Sequence, residues 1–180
     1  MRLHLVRHLA PLVDAGVCYG RTNLATDPAA QLLAVPRLRA ALPVAAPLYS
    51  SPLQRCAVLA HALGSPVRFD PRLVELDFGA WEMQRWDAIA RDEIDRWAGD
   101  VAGYHPGGGE SVTGMAHRIA VFYTDVVSAG ADEAVVVCHA GAIRLLTARA
   151  AGMDVPAMAQ AAAAHPHRIN YGEIVTIDCV

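Results

Sequence analysis

The sequence predicts an α/β protein built around a parallel sheet, on three observations. Short apolar strands recur along the 180 residues, and stretches of helical signal lie between them. The clearest strand, AVVVCH at 134–139, is dominated by β-branched residues, as expected for a strand covered on both faces. Such alternation builds parallel β-α units. A chain of this length hides roughly 70% of its unfolded surface on folding. Its 54% apolar and 18% charged residues suit a globular core. No linker, charge block or internal repeat divides it, so a single domain over 1–180 is expected.

Taken in order, residues 2–7 (RLHLVR) are a buried strand, with His4 as a buried structural histidine. A loop rich in Gly, Asp and Pro covers about 9–28. Residues 29–42 form an Ala- and Leu-rich helix that Pro36 must kink, start or stop. Residues 47–50 are a very short strand. Ser51-Pro52 then reads as a helix start, because Ser can accept from an orphan N–H and Pro suits the first turn. That helix ends at Gly64, and 66–69 is another strand. Helices follow over 85–98 and 111–127, separated by the turn HPGGGES; Ser111 caps the second. After strand 134–139 come a helix over 140–151 and a last strand at 173–178. The AAAA at 161–164 is compositional and predicts nothing.

Composition excludes several classes. The formal net charge of −3 argues against nucleic acid or an anionic membrane as the main partner. Cys18, Cys56, Cys138 and Cys179 contain no C-x-x-C pair, which removes zinc ribbons and thioredoxin-type sites. Cys56 and Cys138 lie in apolar runs as small core residues, and a reducing cytoplasm is the simplest setting. The apolar start MRLHLVRHLA is broken by His4, Arg7 and His8, so it is neither a signal peptide nor a membrane span.

Ligands of open α/β sheets sit outside the carboxyl ends of the strands. Strand 2–7 ends in Arg7-His8, strand 47–50 leads to Arg55, and strand 134–139 ends in His139 before Ala140-Gly141 at a helix start. Each alone reads as a rim or core-edge residue. If the strands are neighbours, all four converge on one electropositive pocket suited to a phosphoryl group. Arginine forks bind two oxygens, helix-start N–H groups add donors, and imidazole is a competent nucleophile. A nearby acid would protonate the leaving oxygen; Glu75, Asp77 and Glu82 are all candidates from the residues alone. The triple glycine 107–109 lacks the Lys-Ser/Thr of a nucleotide P-loop. His165-x-His167 reads as a surface turn rather than a metal site, and Glu110-Ser111 as a helix start.

Five motifs in this order, L-V-R-H, S-S-P-L-Q-R, L-V-E-L-D-F-G-A-W-E, G-G-G-E-S and V-C-H-A-G, resemble the histidine phosphatase superfamily, also called phosphoglycerate-mutase-like. The resemblance runs from about residue 3 to the last strand. It implies a three-layer α/β/α sandwich with a mostly parallel central sheet. It makes His8 the phosphorylated nucleophile, Arg7, Arg55 and His139 the phosphate pocket, and Glu75 the acid. Tyr19, Gly20 and Arg21 match positions where family members meet substrate; Arg21 is equally an exposed loop arginine. The implied activity is a metal-independent phosphomonoesterase without cofactor, acting on a small-molecule phosphate ester. A homodimer is open.

Two departures stand out. Leu9 replaces the usual Gly after the R-H pair, and Met83 replaces the Gly after W-E. The segment RHLAPLVDAGVCYGRTN resembles the α-ribazole-phosphate phosphatase branch of cobalamin assembly. The alternatives are mutase-type phosphotransfer and a non-catalytic phospholigand domain. Family mutases are longer, with segments that keep water from the phosphoenzyme, so this shorter chain favours hydrolysis.

Overall fold

The computed structural model describes residues 1–179. Five strands, β1 (Arg2–Arg7), β2 (Leu48–Ser50), β3 (Val67–Phe69), β4 (Glu133–Cys138) and β5 (Ile174–Asp178), form one sheet in the order β3-β2-β4-β1-β5. All neighbours are parallel except β5, which runs antiparallel to β1. The helices among the described residues are α1 (Pro28–Ala41), α2 (Gln54–Leu63), α3 (Arg91–Gly99), α4 (Val112–Ser128), α5 (Ala140–Ala150) and α6 (Val155–Ala163).

Strand alternation sorts the core into two faces. Leu3 and Leu5 of β1, with Ala134, Val136 and Cys138 of β4, pack among α4, α5 and α6. Val6, Val135 and Val137 face the other way, against Leu38 of α1 and Cys56, Leu59 and Ala60 of α2. The expected three layers follow directly from this period of two.

Four local expectations need correction. The second helix begins at Gln54, not at Ser51-Pro52, and its N-cap Leu53 makes no side-chain capping bond. Ser51 is wholly buried; its hydroxyl accepts from Leu53 N at 3.4 Å, ahead of the helix, and also lies 2.9 Å from His139 Nε2, so it serves the sheet end as well. The helix expected over 85–98 is broken. A short 3-10 turn at Trp86–Ala88 precedes α3, and extended backbone at Ile89 and Ala90 seats Ile89 beside Trp81 and Cys18. Helix α1 runs through Pro36. The carbonyl that Pro36 deprives of a donor belongs to Leu32, which is 77% exposed. Finally, α6 is a helix the Ala-rich composition hid. The Asp154 side chain caps it by accepting from Ala157 N at 3.0 Å, and a proline occupies the first turn.

The triple glycine is a packing device. A β-carbon on Gly107 would stand 2.3 Å from the Phe78 carbonyl oxygen, so only glycine lets the 107–109 turn lie against the 77–81 loop. Leu9 keeps φ negative and packs into the α1/α2 core cluster. Met83 takes φ +65°, the left-handed conformation that suits the glycine usual at its position.

Candidate active site

Strands β2, β4 and β1 are adjacent and parallel, so their carboxyl ends share one edge. The ladder continues one residue past each strand: His8 N donates to Cys138 O and Ser51 N to Val137 O, both at 3.0 Å. Arg7, His8, Arg55 and His139 are thereby brought together, all nearly or wholly buried. The ring centroids of His8 and His139 are 5.0 Å apart.

His8 Nδ1 lies 2.6 Å from its neighbour's carbonyl, Leu9 O. That bond places the proton on Nδ1 and leaves Nε2 with its lone pair. Burial, with the charges of Arg55 and Arg7 adding to it, lowers the His8 pKa to about 3. His8 is therefore neutral at ordinary pH. Arg7 donates through Nη1 to Ile169 O, and its guanidinium carbon stands 3.9 Å over the Tyr171 ring. Its buried Nε has no hydrogen-bond partner among the described residues.

Arg55 is fully buried and acts as a clasp. It donates to Thr22 O at 2.7 Å, to Gly20 O, and from Nε to His139 Nδ1 at 3.3 Å. Gly20 is glycine of necessity here, since a β-carbon would fall 1.9 Å from Leu76 O. Both ring nitrogens of His139 are engaged, by Arg55 and by Ser51. Burial, then His8 and the surrounding arginines, holds its pKa well below the usual histidine value. Tyr19 and Tyr171 meet hydroxyl to hydroxyl at 2.6 Å, and Tyr171 lies 5.6 Å from the His8 ring.

The three acidic candidates occupy different environments. Glu82 accepts from the backbone N–H groups of Arg21, Thr22 and Phe78, which ties two loops together. Asp77 accepts from Gly79 N at 2.8 Å and pairs with Arg21 at 3.5 Å. Glu75 reaches the α5 start beside His139, where Gly141 N donates to Oε2 at 3.0 Å. Arg21 stands apart from the cluster, with its side chain 61% exposed and directed to Asp77. His165 and His167 are exposed in the segment before β5. His4 is partly buried rather than enclosed, and pairs with Glu133 at 3.2 Å. The expected cap of α4 is found at Ser111, whose hydroxyl accepts from Gly114 N at 3.1 Å.

Sequence reasoning missed Tyr171 and the Ile169 carbonyl, which reach Arg7 across more than 160 positions of chain. It also missed Ser51 as the partner of His139. Only the S-S-P-L-Q-R motif as a whole signalled that residue.

Two histidines held neutral by burial make stability depend on pH. Their folded pKa values lie below the unfolded value of about 6.5. Below that pH the unfolded chain takes up protons that the folded one refuses. Stability from these groups is thus complete above about pH 7 and is lost as pH falls toward the folded values. The expected slope is about 1.4 kcal/mol per pH unit for each such histidine. Urea midpoints measured from pH 7 to 4 should fall steadily, and the fall should be shallower in His8→Asn.

Fold and pocket together define an α/β protein with a histidine–arginine site at the carboxyl edge of its sheet. A model of the histidine phosphatase superfamily, branch 1, matches residues 3–174. This chain belongs to that superfamily, and so stands among phosphatases and phosphotransferases. It is similar to the solved structure of TTHB049 from Thermus thermophilus, with 30% identity, TM-score 0.73, and coverage of 99% of this chain and 93% of that one. A structure described as phosphoglycerate mutase from the same organism gives the same four values. Mycobacterial glucosyl-3-phosphoglycerate phosphatase is 26% identical, with TM-score 0.78 and coverage of 97% and 88%. No curated protein matches the chain. Among the described residues no helix is long and apolar enough to cross a membrane.

Proposed function

We propose that this chain hydrolyses phosphate monoesters through a phosphohistidine on His8. The observation that carries the reading is the pairing of two atoms. His8 Nδ1 is held by Leu9 O, which leaves Nε2 with its lone pair, and the adjoining residue Arg7 has a buried Nε without a partner among the described residues. An uncharged nucleophile and a buried guanidinium with an unsatisfied donor on adjoining residues suit an anion.

In the proposed reaction Nε2 attacks phosphorus and the P–O bond to the leaving group breaks. Arg7 and Arg55 hold the equatorial oxygens as charge redistributes. His139 lies in the same pocket, its Nδ1 held by Arg55 Nε and its Nε2 set against Ser51 Oγ. Glu75, as the carboxylic acid, passes its proton to the departing oxygen and releases the alcohol. As carboxylate it then takes a proton from the water that attacks phosphorus. The P–Nε2 bond breaks, inorganic phosphate leaves, and Glu75 is again the acid. Of the three carboxyl groups, Glu75 suits this role because Gly141 N places its carboxylate at the α5 start beside His139, whereas Glu82 ties the 21–22 backbone to Phe78 and Asp77 pairs with the exposed Arg21.

Hydrolysis is preferred to mutase transfer because Tyr171, beside His8, is 41% exposed, which leaves this side of the pocket open to water. α-Ribazole phosphate is the first ester to test, on the strength of the R-H-x-x-P and C-Y-G-R segments. The experiment is turnover of p-nitrophenyl phosphate with and without chelator, followed by a panel of α-ribazole phosphate, sugar phosphates and nucleotides. Turnover indifferent to chelator is expected. Loss of turnover in chelator, no turnover of any ester, or phosphoglycerate isomerisation primed by a bisphosphate would overturn the reading.

A further inference from the structure

One cluster near the site has no part in the proposed chemistry: Arg118 of α4 and Glu110 just before that helix. Their side chains are 21% and 24% exposed. Arg118 donates through Nε and Nη2 to the two Glu110 oxygens, each at 2.8 Å, a bidentate fork. Its remaining N–H groups reach into the segment that leads to Glu75. Nη1 donates to Arg72 O and to Val74 O at 2.6 Å, and Nη2 to Glu75 O at 3.2 Å. Glu110 N also donates to Asp77 O at 2.8 Å.

The backbone of residues 72–77 has no place in the sheet, and β3 ends at Phe69. Its carbonyls therefore need donors from elsewhere, and one guanidinium supplies three of them. The Glu75 residue is held at both ends, its carbonyl by Arg118 and its carboxylate by Gly141 N. Arg118 also lies close enough to the pocket for its charge to act on His139. Lysine could not replace it, since a point charge cannot hold a carboxylate fork and several carbonyls at once.

We infer that Arg118, locked by Glu110, is the positioning residue that sets Glu75 for proton transfer to the leaving group. The inference rests on the proposed phosphatase reading. Arg118 touches no reacting atom; it fixes the backbone from which the acid extends, and a displacement near 1 Å is enough to lose about 10²-fold in rate.

Leaving-group dependence tests this. An alkyl phosphate needs its departing oxygen protonated, whereas 2,4-dinitrophenolate leaves without help. The parameter is kcat/KM, which reports events up to phosphorylation of the enzyme. Arg118→Met should lose on the order of 30- to 100-fold on glycerol phosphate. On 2,4-dinitrophenyl phosphate its loss should be under about threefold. Glu110→Gln should show the same pattern with smaller losses, and Arg118→Lys should recover only part of the alkyl-ester rate. If Arg118→Met does not fold, Glu110→Gln and Arg118→Lys decide the matter. Equal losses on both esters would show a merely structural role and overturn the inference. Wild-type protein inactive on both esters would instead overturn the phosphatase reading itself.

Discussion

His8→Ala should lose turnover by on the order of 10⁴- to 10⁶-fold, the scale seen when a covalent nucleophile is removed. The neighbouring His139 imidazole cannot take its place. His139, 5.0 Å away by ring centroid, has one nitrogen on Arg55 and the other on Ser51. The folded state should survive the change. His8 is 2% exposed, so alanine leaves a small cavity, but it also removes a desolvated ring beside two arginines. Steady-state kinetics and a urea melt on the same preparation check both halves. A His8→Ala protein that turns over within about tenfold of wild type would contradict the role assigned to this residue.

Arg55→Met should be costly in two separate ways. The volume is nearly conserved, so packing suffers little. The carbonyls of Gly20 and Thr22 lose their donor, and His139 Nδ1 loses its partner. Each buried carbonyl left without a donor costs about 1–3 kcal/mol, so a stability loss of roughly 2–5 kcal/mol is expected. Activity should fall by a further factor on the order of 10²- to 10³-fold among molecules that remain folded, because a donor to the phosphoryl oxygens is gone. Arg55→Lys should recover little, since lysine cannot span two carbonyls and the imidazole. Denaturant midpoints and kcat/KM separate the two effects. A variant with full stability and a changed KM alone would show that Arg55 is not the clasp described here.

Much of the fold is legible in local sequence, and the reasons are particular. Strands β1 and β4 announce themselves because Val and Leu dominate them, and both faces of the sheet are covered. The site follows from them, since Arg7-His8 and His139 stand at or just past their carboxyl ends. The motif order then singled out Glu75, which strand logic alone left among three carboxylates.

What was hidden depends on contacts distant in sequence. Tyr171 is an exposed loop residue by every local sign, and only the return of β5 beside β1 lays its ring on Arg7. Ser51 looks like a cap because Pro52 follows it. Its hydroxyl does take the Leu53 N–H, but it is also buried against His139, and α2 starts three residues later. Helix α6 was missed for a different reason: the Asp154 cap and first-turn proline were present but outweighed by an uninformative alanine run. The glycines at 107–109 resemble a phosphate loop in composition, yet their job is close contact with the 77–81 backbone.

The central claim is that phosphate passes through His8, and trapping the phosphoenzyme tests it most directly. The protein would be mixed with a phosphate ester it turns over, quenched in alkali, digested, and mapped by mass spectrometry. One phosphoryl group on His8 is expected, stable in alkali and lost in acid, and absent from His8→Ala. Label on any other residue, or steady turnover with none on His8, would contradict the claim.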